Sequence, residues 1–194
     1  MRDVTYRTLF PLFEELRGER VLVRPFLESD AAALQEAVAE SRQHLRPWMP
    51  WADTYHSVED AQDYIIRTQA QWLLRENMGL SFWEQASGRF LGGTGLHPRN
   101  WEIGHFEIGY WVRASATGHG YVTEAAHLLT EFAFDKLEAN RVRIRCDERN
   151  ERSAAVPRRL GFVYEGCQRC DMRGPDGTLR NTLIFSMIRA DRKK

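Results

Sequence analysis

The stretch GYWVRASATGHGYVTEAA is where residue types and spacing point most directly to chemistry. A β-rich run, GYWV, leads through a loop carrying Gly118 and Gly120 into a helical pattern that starts at Tyr121. Glycines let the backbone approach a ligand closely, and the unpaired N–H groups of a helix start attract phosphate oxygens. The loop from Gly118 through His119, Gly120, Tyr121 and Val122 to Thr123 therefore reads as a pyrophosphate cradle. Other phosphate-binding patterns fit poorly. A dinucleotide site asks for G-x-G-x-x-G near the first strand and an acid about 20 residues on, whereas this loop is central and Thr123 stands at the third glycine position. The G-K-[ST] of nucleoside-triphosphate enzymes has no counterpart in the chain.

A second candidate is Glu107, the single charge between Phe106 and Ile108 in HFEIGYWV. Partial desolvation in such a strand raises a carboxyl pKa toward the working pH, which suits a general base. An outward-facing strand charge or a salt bridge is the competing reading. Tyr110 and Trp111 alternate on the same run, so one of the two is expected to face a cleft. In NERSAAVPRRLGF, Asn150 and Ser153 both suit helix caps, and Pro157 removes the N–H that would pair with the Ser153 carbonyl. Trp48, Met49 and Trp51 crowd the irregular segment HLRPWMPW, either as core or as one wall of a pocket. The six histidines form no H-x-x-x-H or H-x-x-E-H pattern, and Cys167 and Cys170 have only Cys146 beside them, so no metal site is expected.

These residues need elements to position them. RVLVRPF reads as a half-buried strand, followed by a helix over AAALQEAVAE with Ser29 or Asp30 as its cap. Ser57 opens a second helix with Ala61, Tyr64, Ile65, Thr68 and Trp72 on one face. Three sequential strands follow, LSFWEQ, RFLGGTGLH and HFEIGYWV, separated by Ser-Gly and Pro-Arg-Asn turns. The helix from Tyr121 carries Ala125, Leu128, Leu129, Phe132 and Ala133 on one side, RVRIRCD is a strand, a short helix lies around SAAVPRRLGF, and two strands close the order. The expected order is β-α-α-β-β-β-α-β-α-β-β in a single domain over residues 1–194, since no repeat or linker divides the chain.

Composition narrows the class. At 194 residues and 43% hydrophobic content the chain can bury a proper core. Lys plus Arg and Asp plus Glu both total 27, so net charge draws the protein to neither nucleic acid nor an anionic membrane. No run reaches the length of a membrane-spanning helix and no export signal is visible, which together predict a cytoplasmic protein.

On these residues the chain resembles the GNAT (Gcn5-related N-acetyltransferase) superfamily. The loop is similar to its R/Q-x-x-G-x-G/A motif, with Ser115 in the usual Arg or Gln place, while Arg113 and Y-V-T-E-A are similar to the RimJ/RimL-like ribosomal-protein branch. RVLVRPFLESDAAAL, HLRPWMPW and NERSAAVPRRLGFVYEGC extend the likeness over nearly the whole chain. The resemblance implies a single-domain α/β fold: a mixed, mostly antiparallel V-shaped sheet of about seven strands, flanked by about four helices. It implies acetyl-CoA as cosubstrate, with the acetyl-pantetheine arm between splayed strands and Val112 and Arg113 offering it backbone hydrogen bonds. It makes Glu107 the candidate base, with Asp171 or water as alternatives, makes Ser153 the donor to the departing thiolate, and lets Asn150 bond pantetheine. Trp48, Met49, Trp51 and Tyr110 would line the acceptor pocket. The implied acceptor is a protein N-terminal α-amino group, with small amines, amino acids or peptide antibiotics as alternatives and a homodimer allowed. A coenzyme A-binding sensor without turnover is the rival reading.

Overall fold

Eight strands build one sheet in the order β1-β2-β3-β4-β5-β6-β8-β7, in a computed structural model that describes residues 4–192. The strands are β1 (Leu16–Arg17), β2 (Val21–Pro25), β3 (Met78–Glu84), β4 (Phe90–Asn100), β5 (His105–Val112), β6 (Arg141–Asp147), β7 (Val163–Arg173) and β8 (Leu179–Ile188). The helices are α1 (Ala31–Leu45), α2 (Val58–Leu74), α3 (Tyr121–Asp135) and α4 (Glu151–Arg159). The order matches the expected one, with β1 added. At two residues that strand is too short to show a period.

The helices divide the molecule into two layers of core. On one face of the sheet α3 and α4 cover Val21, Leu80, Phe106, Ile108, Val142 and Ile144. On the other, α1 and α2 enclose Phe26, Leu34, Val38, Ile65 and Phe90. The start of α2 follows from its sequence: the Ser57 hydroxyl accepts the Asp60 N–H at 3.2 Å while the Asp60 carboxylate accepts the Ser57 N–H at 2.9 Å. Asp30 behaves differently from expectation. Its carboxylate does not cap α1 but accepts both Arg24 guanidinium nitrogens, at 2.7 and 2.8 Å, and the Leu27 N–H at 2.8 Å. The Pro-Arg-Asn turn is also displaced: β4 runs to Asn100, the register slips between Pro98 and Asn100, and the reversal falls on residues 101–104.

β2 through β5 pair antiparallel, but β5 and β6 pair parallel, and only from His105–Arg141 to Ile108–Ile144. β5 then continues to Val112 and β6 to Asp147 without pairing, so the two strands part. The result is the V-shaped opening, at the end where the loop into α3 lies.

Candidate active site

The opening holds two cavities that share Met49, Tyr110 and Trp111 as walls. The larger, of about 1000 Å³, runs along Val112 to Gly118, Gly120, Tyr121, Val122 and Thr123. The smaller, of about 460 Å³, lies on the α1/α2 side and is lined by Trp51, Tyr55, Tyr64, His97 and a floor of glycines.

The larger cleft has the makings of an anion cradle. Gly118 and Gly120 sit at φ 84° and 81°, a region that favours glycine, and no atom lies within 4 Å of where a Gly118 Cβ would be. Helix α3 then opens with Gly120 as its N-cap and without a side-chain cap, leaving its first N–H groups for a ligand. Glu124 fixes this start to β2 by accepting the N–H groups of Arg20 and Val21 at 2.7 and 3.2 Å. Arg20 donates onward to the His119 carbonyl at 2.9 Å, and the His119 ring stacks on Tyr121. His119 is therefore a prop of the loop and not among the residues that line the cleft.

The Arg113 expectation needs correction. Its N–H donates to the Leu91 carbonyl at 2.8 Å, so it is not free for a ligand in the gap. Its buried guanidinium reaches Glu40 and, at 2.7 Å, Glu36 on α1. Arg113 thus ties the end of β5 to α1. The Arg113 N–H bond to Leu91 also sets the alternation of the ladder, so that at the neighbouring Gly92–Val112 pair the Val112 backbone groups turn away from β4, toward the gap.

At the junction of the cavities Pro157 leaves the Ser153 carbonyl open to Tyr110. The Ser153 carbonyl, left without its helical partner, accepts the Tyr110 hydroxyl at 3.0 Å, and the Ser153 hydroxyl donates back to the Tyr110 oxygen at 3.3 Å. Burial pushes the Tyr110 hydroxyl pKa well up, which keeps it protonated. Asn150 caps α4 by accepting the Ser153 N–H at 3.0 Å while also lining the larger cleft. The expectation that only one of Tyr110 and Trp111 faces a cleft fails: both residues line both cavities, with the Tyr110 side chain reaching Ser153 and the Trp111 side chain packing against Trp51.

Glu107 is placed otherwise than its sequence context suggests. It is among the lining residues of neither cavity. Arg99 donates to it at 2.7 and 3.2 Å and Arg143 at 2.6 Å. Burial pushes its carboxyl up, but the hydrogen bonds and charges of Arg99 and Arg143 outweigh this and hold it below the usual carboxylate range. The expected rise is a fall. Asp171 lies within the irregularity between Gln168 and Met172, pairs with Arg145, and also lines neither cavity.

Sequence reasoning missed several wall residues. Arg149, Arg152 and Arg159 all line the larger cleft, a basic flank suited to phosphates. Their spacing of three and seven residues was a readable helical signal. In the smaller cavity Trp111 lies across Gly93, where a Cβ would fall 2.4 Å from its Nε1, and His97 lies across Gly95, where a Cβ would fall 2.6 Å from its Cε1. Trp51 and Trp48 divide between the cavities: Trp48 borders the larger, and Trp51 meets Trp111 edge-on at 5.5 Å in the smaller.

A splayed β5/β6 pair with a glycine loop at a helix start defines an acyltransferase that takes its acyl group from coenzyme A, and the comparisons agree. Residues 20–163 match the model of the acetyltransferase (GNAT) domain, so the chain belongs to the GNAT acetyltransferases and is an acetyl-CoA-dependent N-acetyltransferase. It is 31% identical over 177 residues to the "Putative ribosomal N-acetyltransferase YdaF" of Bacillus subtilis (strain 168), covering 90% of this chain and 94% of that one. The crystal structure of a probable acetyltransferase superposes with a TM-score of 0.85 at 27% identity, over 92% of this chain and 98% of the other. RimL, a ribosomal L7/L12 α-N-protein acetyltransferase in complex with coenzyme A, gives 0.84 at 20% identity over 90% and 98%, a likeness of fold. No helix among the described residues is long and apolar enough to cross a membrane.

Proposed function

We propose that the chain acetylates the N-terminal α-amino group of a protein, of the ribosomal-protein type, in the cytoplasm. The observation that carries this reading is the meeting of the two cavities at Met49, Tyr110 and Trp111. The larger cleft suits the coenzyme: the Gly118–Thr123 backbone and the three arginines would hold its phosphates, and the gap-facing backbone of Val112 would hold the pantetheine arm. The bound cosubstrate supplies the acetyl thioester. The smaller cavity suits the first residue of a polypeptide, since aromatic rings line it and neither Asp nor Glu does. An α-amino group, with a pKa of about 8, is deprotonated near neutral pH far more readily than a lysine.

The chemistry assigned to the chain is transfer without an acyl-enzyme. The amine nitrogen forms a bond to the acetyl carbon as the carbon–sulfur bond breaks, and the departing sulfur needs a hydrogen bond or a proton. Ser153 supplies it, its hydroxyl held beside the Tyr110 oxygen at the junction. Glu107, the cross-strand partner of His97, lines neither cavity, and a role for it as proton acceptor is read by Glu107→Gln.

The test is a panel of peptides with different first residues, set against lysine side-chain peptides and polyamines, with thioester consumption and the mass and position of the product as readouts. The reading expects acetylation confined to α-amino groups. Faster modification of a polyamine or a free amino acid transfers the assignment to small amines.

A further inference from the structure

The smaller cavity carries four titratable side chains, and only one can accept a proton near neutral pH. Tyr55, Tyr64 and Tyr110 are pushed upward by burial and stay protonated. The fourth is His97, at the end of β4 beside the glycine floor. Its Nδ1 is hydrogen-bonded to Asn77 Oδ1. Asn77 is itself oriented, because its Nδ2 donates to Gln71 Oε1 of α2 at 3.2 Å. With the oxygen of Asn77 turned to the ring, Nδ1 carries the proton and Nε2 keeps its lone pair. Nε2 lies 2.8 Å from where a Gly95 Cβ would be and 3.2 Å from where a Gly109 Cβ would be, so the missing side chains of both glycines leave that nitrogen its space.

We propose that His97 is the catalytic residue that takes the proton from the acceptor amine, with Asn77 as the positioning residue that sets its tautomer; this rests on the seating of acceptor and coenzyme given above. Nε2 removes one proton from the ammonium and becomes imidazolium. The freed nitrogen lone pair forms the carbon–nitrogen bond, the carbon–sulfur bond breaks with its electrons on sulfur, and the second proton of the nitrogen leaves with the sulfur. The imidazolium then returns its proton to solvent.

The surroundings keep the ring neutral at rest. Burial lowers its pKa first, and Arg99 on the same strand lowers it further, while Glu107, its cross-strand partner on β5, acts in the opposite direction. Tyr64 from α2 and Tyr55 from the segment before it face the same space as neutral groups. The net fall places the ring in its proton-accepting form at pH 7. As pH drops through the lowered pKa the imidazolium forms and the rate falls.

The experiment uses the full chain and the best peptide of the panel. His97→Gln should lower kcat about a hundredfold, leave the coenzyme A Kd within about twofold by calorimetry, and remove the acidic limb of the kcat–pH profile. Added imidazole should restore activity to His97→Ala. Asn77→Ala, which keeps the ring, should cost about tenfold and shift the limb. Nitrogen-15 spectra of the wild-type imidazole should show the Nδ1–H tautomer and a titration below the ordinary value of about 6.5. Unchanged kcat and pH profile in His97→Gln would overturn the proposal. So would an acidic limb that disappears in Glu107→Gln alone, or an Nε2–H tautomer in the wild type. Should the wild type acetylate no peptide, the acceptor assignment fails, and the tautomer and titration still decide for or against His97.

Discussion

In the larger cleft most ligand-facing groups come from two short stretches, residues 116–123 and 149–159, whereas the smaller cavity draws its walls from α1, α2, β3, β4, β5 and the segment between the first two helices. The first carries a glycine loop at a helix start and three guanidinium groups, the second rings laid over glycines. Backbone recognition tolerates wide change in side chains and binds a constant partner. A cavity made of rings changes shape with each substitution, so the two regions answer mutation differently: one in coenzyme affinity, the other in acceptor choice.

The sharpest break in that contrast comes at the junction. Ser153→Ala should lower kcat about a hundredfold, comparable to the loss of an oxyanion donor, with coenzyme Kd nearly unchanged. A fall limited to melting temperature would leave Ser153 a structural partner of Tyr110. Next in size is Gly120→Val. It forces a branched side chain into a φ of 81° at the start of α3 and brings its Cβ to 3.4 Å from the Arg20 guanidinium, and it should weaken coenzyme binding at least tenfold. Unchanged calorimetric affinity in the folded variant would move the phosphate site elsewhere.

Gly109→Ala probes the other cavity. Its Cβ would press on His97 Nε2 and on no other residue within 4 Å, so kcat/KM for the peptide should fall about fivefold while coenzyme Kd stays within twofold. Equal losses for both ligands would show that the two regions are not separable. The smallest effect expected is on stability and pH. Since the folded pKa of Glu107 is depressed, its ion pairs contribute above the unfolded carboxyl value of about 4.3 and are lost as pH falls further. Glu107→Gln should therefore lower the melting temperature at pH 7 and do so less and less as the pH is brought down through the depressed carboxyl value, a difference that scanning calorimetry can read.

How much of this was legible in the sequence differs between the same two regions. The glycine loop, the Ser57 cap and the element order could be read because each is a local pattern with its cause within a few residues. Arg113 could not. Its N–H goes to Leu91 because of strand register, and its side chain reaches Glu36 and Glu40 more than seventy positions away. Glu107 was misjudged for a similar reason: Phe106 and Ile108 announce burial, but Arg99 and Arg143, which reverse the pKa, arrive from neighbouring strands. His97 in RFLGGTGLH carried a readable hint, since glycines alternating with it on one face of a strand leave space for a ring to lie flat. What period 2 alone could not supply was Asn77, which gives the imidazole its tautomer.

The four-residue parallel seam between β5 and β6 also sets the order in which the chain can assemble. Its partners are joined through the whole of α3, so closing it costs chain entropy before it returns contacts, whereas the β3–β4, β4–β5 and β7–β8 pairs need only short reversals. Refolding should therefore produce the β3–β5 meander and the β7–β8 hairpin early, with the long-range pairings, the seam among them, in the slowest step. The capacity to bind coenzyme should appear only with that step, since neither arm of the V holds the whole cleft. Coenzyme then acts as a latch on the assembled state: by binding only the closed seam it shifts the balance against opening, and in its absence β6–β8–β7 is the unit that a protease should meet first.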